Sequence, residues 1–203
     1  MKTLFIFIII IVGVLIIFQI YSTLATSASN TQEYKVLKVK KQFEIRYYLV
    51  ANVAKISLTA TSYRDLGASG FNKLTSYIFG GNSENKKIAM TSPVQMELRD
   101  STATMTFVMP SDLKKETLPK PNNSAISIET TAAEYVAAIR FGGFSSDEKI
   151  AKYKSILEEA LKAEGLTYYG NFRYLGYNPP YQLFGRRNEV VVGLNESNFT
   201  TNK

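Results

Sequence analysis

The stretch FNKLTSYIFGGNSENKKIAMTSPV, residues 71–94, decides the fold because it combines a helix, a stop and an extended segment. The predicted helix has one apolar stripe, formed by three residues at helical spacing: Phe71, Leu74 and Ile78. Gly80 and Gly81 follow, and glycine tolerates the left-handed conformation in which helices often end. After a polar loop, residues 88–94 begin an extended run. Pro93 restricts the residue before it to extended geometry, which favours a strand here.

Shorter pieces of sequence on both sides of this stretch extend the pattern. They lie at residues 34–37, 43–48, 106–110, 116–119, 140–143, 176–180 and 185–190. Together with YIFGGN and KIAMTSPV, and in this order, they resemble the SOUL haem-binding family over about residues 34–194. The resemblance implies an α+β fold, in which a distorted antiparallel β-barrel is flanked by two helices and built from two similar α+β halves.

The order of predicted elements agrees with this fold class. Alternation of apolar and polar residues predicts strands at residues 34–39, 43–50 and 52–59. Further strands are predicted at residues 88–99, 102–109, 124–129, 134–141, 168–177 and 189–194. One helix is predicted at residues 62–79, and another between the candidate N-cap Ser146 and Gly165. Strands precede and follow each helix, which predicts antiparallel sheets covered by helices on one side.

An apolar segment precedes the predicted domain. Residues 4–18 are an unbroken apolar run, which Ile20 and Tyr21 extend past Gln19. Two interpretations stay open: an uncleaved signal anchor, favoured by the length of the run, or a cleaved signal peptide, with a small-residue cleavage site near Thr23.

We therefore divide the chain into four parts. They are residues 1–25 (signal anchor or signal peptide), 26–33 (linker), 34–194 (SOUL-like haem-binding domain) and 195–203 (a tail predicted to be disordered). The domain is expected outside the cytoplasm. It is held in the membrane through residues 4–21 or, if the N-terminus is cleaved, is secreted or periplasmic. The sequons at Asn122, Asn195 and Asn198 are glycosylation acceptors if the protein is secreted by a eukaryote, but chance also explains them in a chain rich in Asn and Ser.

The chain of 203 residues contains no histidine and no cysteine, and this limits its chemistry. Histidine is the usual proximal haem ligand and the commonest general base, and cysteine is needed for thiolate zinc sites and thiol catalysis. These absences argue against a standard hydrolase or metalloenzyme, and we predict a protein that is not an enzyme. The net charge of +7 is scattered in lysine pairs beside predicted loops, so no nucleic-acid partner is predicted.

The family resemblance implies a histidine-free haem site. Some SOUL-like proteins are thought to hold haem in an apolar groove beside the first helix, with basic side chains at the propionates. The candidate residues for haem or another tetrapyrrole are Phe71, Leu74, Ile78, Met90 and Met96 on the apolar face, with Arg64 and Lys73 at the rim. Tyr177 lies in a predicted rigid turn that forms either the rim of the pocket or a plug over the core. An axial ligand would come from Met90, Met96 or a tyrosine such as Tyr77. In the alternative interpretation, the helix stripe is only core.

Three functions follow from these residues. The first is non-enzymatic binding of haem by a monomeric domain, as an envelope carrier or buffer. The second is a hydrolase like those suggested among GyrI-like domains, for which Glu134 and Tyr135 are the candidates. The third is the binding of another small hydrophobic ligand. Arg186 and Arg187 are expected to pair with glutamates, and only one of them can face a groove because neighbouring strand residues point to opposite faces.

Overall fold

The structure is a computed structural model that describes residues 2–27, 31–99 and 102–199. The helices are α1 Lys2–Ser27, α2 Tyr63–Ile78 and α3 Asp147–Ala163. The strands are β1 Tyr34–Val39, β2 Glu44–Tyr48, β3 Ala51–Leu58, β4 Val94–Leu98, β5 Ala103–Val108, β6 Ile126–Thr131, β7 Glu134–Gly142, β8 Tyr168–Gly176 and β9 Arg187–Leu194. Parts of the predicted linker (28–30) and of the predicted tail (200–203) lie outside the described residues.

The strands form one antiparallel sheet that curls into a half-barrel, in the order β1-β2-β7-β9-β8-β4-β5-β3-β6. The order β3, α2, β4, β5 is repeated by β7, α3, β8, β9, and the pairing of β4 with β8 joins the two halves. Each half also pairs with the strand that precedes the other half, because β2 pairs with β7 and β6 pairs with β3. The predicted α+β class, with a distorted barrel and two flanking helices, is confirmed.

Both domain helices begin with a serine cap, which satisfies a backbone N–H that the first helical turn leaves free. Ser62 Oγ accepts a hydrogen bond from the Asp65 N–H at 3.0 Å. Ser146 Oγ accepts one from the Lys149 N–H at 3.2 Å, as the sequence predicts. Each helix covers its own core cluster: α2 covers the cluster that contains Leu74, and α3 covers the cluster that contains Leu157.

The end of α2 needs its glycines. Gly80 has a φ of 112°, which a side chain would strain. At Gly81, a Cβ atom would lie 2.7 Å from the Ser76 carbonyl oxygen. The following loop is held by Asn82, which is 1% exposed and donates to the Tyr77 carbonyl at 2.9 Å. The predicted stop is therefore made by two glycines and one buried amide.

Two segments differ from the sequence prediction. The strand expected at residues 88–99 is shorter, because β4 covers only Val94–Leu98 and a cis Ser92–Pro93 peptide bond precedes it. The start of the tail, expected to be disordered, contains a 3₁₀ turn at Glu196–Asn198. Phe199 stacks on Tyr135 with ring centroids 4.2 Å apart. Aromatic stacking thus places this part of the tail against the sheet.

Candidate ligand-binding cleft

The apolar stripe of α2 divides into a buried part and an exposed end. Leu74 and Ile78 are 0% and 1% exposed and lie in the core beneath the helix. Phe71, one turn earlier, is only partly buried and packs edge-on against Phe107, with ring centroids 5.6 Å apart. The stripe is core at its C-terminal end, and at Phe71 it reaches a cleft at the surface.

This cleft has a volume of about 480 Å³, within the range of roughly 300–1,000 Å³ that is usual for small-molecule sites. Four parts of the chain line it: Phe18, Tyr21 and Ser22 of α1, Phe71 of α2, the segment from Met90 to Val94, and residues 176–181. The described lining residues include no Asp, Glu, Lys or Arg. The cleft is therefore an apolar and aromatic site with a few neutral polar groups.

Helix α1 forms one wall of the cleft through its contact with the β8–β9 loop, residues 177–186. The Gln19 side chain makes two hydrogen bonds to the backbone of this loop. Its Nε2 donates to the Tyr181 carbonyl at 3.0 Å, and its Oε1 accepts from the Leu183 N–H at 2.9 Å. The rings of Phe18 and Tyr181 lie 5.7 Å apart. The N-terminal helix is thus joined to the part of the domain that lines the cleft.

The β8–β9 loop is held in shape by its own side chains. The Arg186 guanidinium donates to the carbonyls of Pro179 at 2.7 Å and Gln182 at 2.6 Å. Gln182 is 1% exposed, and its Nε2 donates to the Phe184 carbonyl at 2.9 Å. The guanidinium also lies 4.5 Å from the ring centroid of Phe144. The expectation that Arg186 pairs with a glutamate is wrong, because loop carbonyls take its hydrogen bonds instead.

A buried ionic cluster lies next to the loop, on the sheet face opposite the helices. Glu189 is 0% exposed and accepts from Arg46 at 2.7 and 3.0 Å, from Arg187 at 3.0 Å and from the Tyr177 hydroxyl at 3.0 Å. Burial alone would raise the pKa of Glu189, but the hydrogen bonds and charges of the two arginines outweigh it and lower that pKa. The carboxylate therefore stays ionised and anchors Tyr177, a lining residue of the cleft.

The structure brings together three of the residues predicted for the site. Phe71, Met90 and Tyr177 all line the cleft, and Met90 is 41% exposed there. Lys73 lies about 200° around the helix from Phe71, since an α-helix turns about 100° per residue, so it belongs to the other side of α2. Arg64 lines a separate polar cleft between the first turns of α2 and α3. Neither cation is among the residues that line the apolar cleft.

The candidates for an axial ligand are also separated. Met96 is partly buried and packs against both core clusters. Tyr77 is 1% exposed, and its hydroxyl donates to the Pro119 carbonyl at 3.0 Å. Met90 lines the cleft, as do the exposed tyrosines Tyr21 and Tyr181.

Glu134 and Tyr135, the candidate hydrolase pair, do not share a site. Glu134 forms an ion pair with Arg173 at 2.7 Å. Tyr135 is next to it in β7 and stacks on Phe199, and successive strand residues point to opposite faces. The two side chains therefore lack the common geometry that a catalytic pair requires.

Sequence reasoning missed the role of α1 in the cleft. The helix was interpreted only as a targeting segment, although Phe18 and Tyr21 line the cleft. One signal was present, because Gln19 is the single amide in an otherwise apolar run. The ion pair between Arg46 and Glu189 was also missed, since the two residues are 143 positions apart in the chain.

A family model described as "SOUL heme-binding protein" matches residues 29–193. Heme-binding protein 2 of Homo sapiens is 33% identical over 163 residues, which cover 76% of this chain and 79% of that protein. Heme-binding protein 1 of Xenopus laevis is 24% identical over 183 residues, covering 85% and 95% respectively.

The sheet and helices are also similar to those of proteins with solved structures. The EcmrR C-terminal domain superposes with a TM-score of 0.61 at 8% identity, covering 76% of this chain and 97% of that one. A hydrolase from Listeria innocua superposes with a TM-score of 0.55 at 9% identity, covering 78% and 94%. At such low identity, these two likenesses concern the fold alone.

Proposed function

The chain belongs to the SOUL heme-binding protein family, and from this premise we propose that it binds haem or a related tetrapyrrole in the cleft between α2 and the β8–β9 loop. The observation that carries this proposal is the meeting of Phe71, Met90 and Tyr177 in one apolar cleft. Because the chain has no histidine, any haem that it binds is held without a histidine ligand. The names of the relatives support a binding protein rather than an enzyme.

The chemistry of the lining fits a tetrapyrrole. Aromatic and thioether side chains make favourable contacts with a flat conjugated ring. Among the described lining residues, Met90, Tyr21 and Tyr181 offer the thioether and phenol groups that haem iron accepts from proteins. Bound haem would supply an iron centre for such a ligand. Since no cation lines the described cleft, the carboxylates of the tetrapyrrole are proposed to remain outside it, in water.

We also propose that α1 is retained as a signal anchor. Residues Thr3–Leu24 form a candidate membrane span of 22 residues, about 33 Å long at 1.5 Å per residue, which is enough to cross a bilayer. Cleavage near Thr23 would remove Phe18 and Tyr21 from the cleft. Retention would keep the domain at the membrane outside the cytoplasm, as a monomeric carrier or buffer of haem.

The test is a haemin titration of the full chain in detergent micelles, followed by the Soret band. The variants Met90→Ala and Tyr181→Ala change exposed lining residues, so folding should be unaffected. Each is expected to weaken binding roughly fivefold, which corresponds to about 1 kcal/mol. Phe79→Ala is the matched control, because Phe79 is 61% exposed but does not line the cleft. Lys73→Ala should also leave binding unchanged.

Two other outcomes would change the proposal. Saturable binding that is insensitive to both lining variants would keep the haem function and place it elsewhere in the domain. A linear, non-saturating rise in absorbance would remove haem as the ligand. In that case the cleft would be assigned to another small hydrophobic molecule, and titration with an apolar fluorescent dye would be the next measurement.

A further inference from the structure

We infer that the tip of the β8–β9 loop, residues 180–184, is a second membrane-inserted element beside α1. The inference rests on the proposed retention of α1 as an anchor and goes beyond it. If the tip enters the bilayer, the mouth of the cleft lies at the lipid surface. A hydrophobic ligand would then enter the cleft from the membrane rather than from water.

The position of the contact along α1 sets the depth of the loop. Gln19 bonds both Tyr181 and Leu183, and it lies five residues before Leu24, the end of the candidate span. At 1.5 Å per residue, this contact is about 8 Å inside the span. Leu183 and Phe184 also line an apolar groove whose other wall is α1, which lines the groove from Leu24 back to Val12, deeper in the span. A spanning α1 therefore carries the loop tip to the level of the acyl chains.

Several backbone groups of the loop are paired within the protein, as a hydrocarbon environment requires. In hydrocarbon, an unsatisfied N–H or C=O group costs several kcal/mol, so irregular backbone must be paired within the protein. Gln19 pairs the Tyr181 carbonyl and the Leu183 N–H. Arg186 pairs the Gln182 carbonyl, and the Gln182 side chain pairs the Phe184 carbonyl. These hydrogen bonds also give the one amide of the apolar run a partner, as polar groups within membranes require.

The exposed side chains of the loop tip are apolar enough to be compatible with a lipid bilayer. Tyr181, Leu183 and Phe184 are 56%, 50% and 70% exposed, and residues 177–185 contain no charged residue. This exposed surface continues into the exposed apolar surface of α1, on which Phe5, for example, is 65% exposed. Because the two surfaces are continuous, one lipid phase covers both. Tyrosines near the end of the span suit the interface between lipid and water.

The absence of tryptophan allows a direct measurement of depth. The full chain is reconstituted into phosphatidylcholine vesicles with or without bromine on the middle of the acyl chains, which quenches tryptophan on contact. Three single-tryptophan variants are compared: Phe184→Trp at the loop tip, Phe7→Trp in α1, and Phe79→Trp on the domain surface. All three replaced side chains are exposed large aromatics, so each substitution is tolerated for the same reason.

We expect Phe184→Trp and Phe7→Trp to show blue-shifted emission and a loss of intensity in brominated vesicles, while Phe79→Trp shows neither. If Phe7→Trp is quenched and Phe184→Trp behaves like Phe79→Trp, the loop lies in water and the inference is overturned while the anchor stands. If Phe7→Trp is not quenched, the anchor fails and the loop inference fails with it. Haemin binding in micelles is measured separately, so neither result depends on the ligand.

Discussion

Replacing Glu189 with Gln should destabilise the domain more than the same change at any other glutamate that the structure describes. The side chain is 0% exposed and accepts four hydrogen bonds from Arg46, Arg187 and Tyr177. Glu189→Gln removes the charge from this buried position. The Arg46 guanidinium, on a side chain 3% exposed, then keeps only the partly exposed Glu44 as a carboxylate partner, while Arg187, 24% exposed, loses its carboxylate. Breaking a buried ion pair in this way costs about 3–5 kcal/mol. For a chain of this size, that loss lowers the melting temperature by about 6–20 °C.

The assay is thermal unfolding of the full chain in mild detergent, followed by far-ultraviolet circular dichroism. Glu129→Gln is the matched control, because Glu129 pairs with Lys55 at 3.3 Å while the two side chains are 46% and 35% exposed. An exposed pair contributes about 0–1 kcal/mol, so the control should melt within a few degrees of the parent chain. Equal melting temperatures for the two variants would refute the argument that the buried ionic cluster around Glu189 stabilises the domain.

Three further outcomes are expected. The folded-state pKa of Glu189 lies below its unfolded value, so the stabilisation by its carboxylate is complete above the unfolded pKa of about 4.3 and is lost as pH falls through the folded pKa. The melting temperatures of the parent chain and of Glu189→Gln should therefore converge in acid. A constant difference between them down to low pH would contradict this. Gly81→Ala places a Cβ atom 2.7 Å from the Ser76 carbonyl oxygen and should cost about 1–3 kcal/mol by forced displacement, measured by the same melting assay. If the loop tip is inserted as inferred, Gln19→Leu leaves two loop backbone groups unpaired in lipid. The variant should then reduce quenching of Phe184→Trp and leave that of Phe7→Trp unchanged; equal quenching with and without Gln19 would show that the amide does not hold the loop.

Much of the fold was predictable because its signals are local. The spacing of Phe71, Leu74 and Ile78 indicates a helix within a few residues of sequence, and the serine cap and the glycine stop indicate where such helices begin and end. The length of β4 was not predictable in this way. Residues before Val94 have strand-like composition, but pairing with β5 and β8 begins only at Val94. Strand ends depend on partners that are distant in the sequence.

The candidate site was predictable only in part, for the same reason. Phe71, Met90 and Tyr177 were chosen by family resemblance, and the fold brings them into one cleft. Periodicity assigned Leu74 to the same apolar stripe but could not show that it lies inward of the cleft. A 3.6-residue period defines a helix face, whereas exposure along that face depends on where the neighbouring strands end. The rim cations were likewise chosen by position on α2 and not by the direction in which their side chains point.

Two adjacent arginines explain how the loop is fixed between the sheet and α1. Arg187 belongs to β9 and pairs with Glu189, while its guanidinium lies 3.9 Å from the ring centroid of Tyr177. Arg186 precedes the strand and bonds the loop carbonyls instead. The sheet therefore holds the start of the loop through Tyr177, and the hydrogen bonds of Arg186 fix the backbone that continues towards α1. Because both contacts act on one short segment, weakening the buried cluster should also loosen the wall of the cleft. In Glu189→Gln, haemin affinity should therefore fall at temperatures where the domain is still folded.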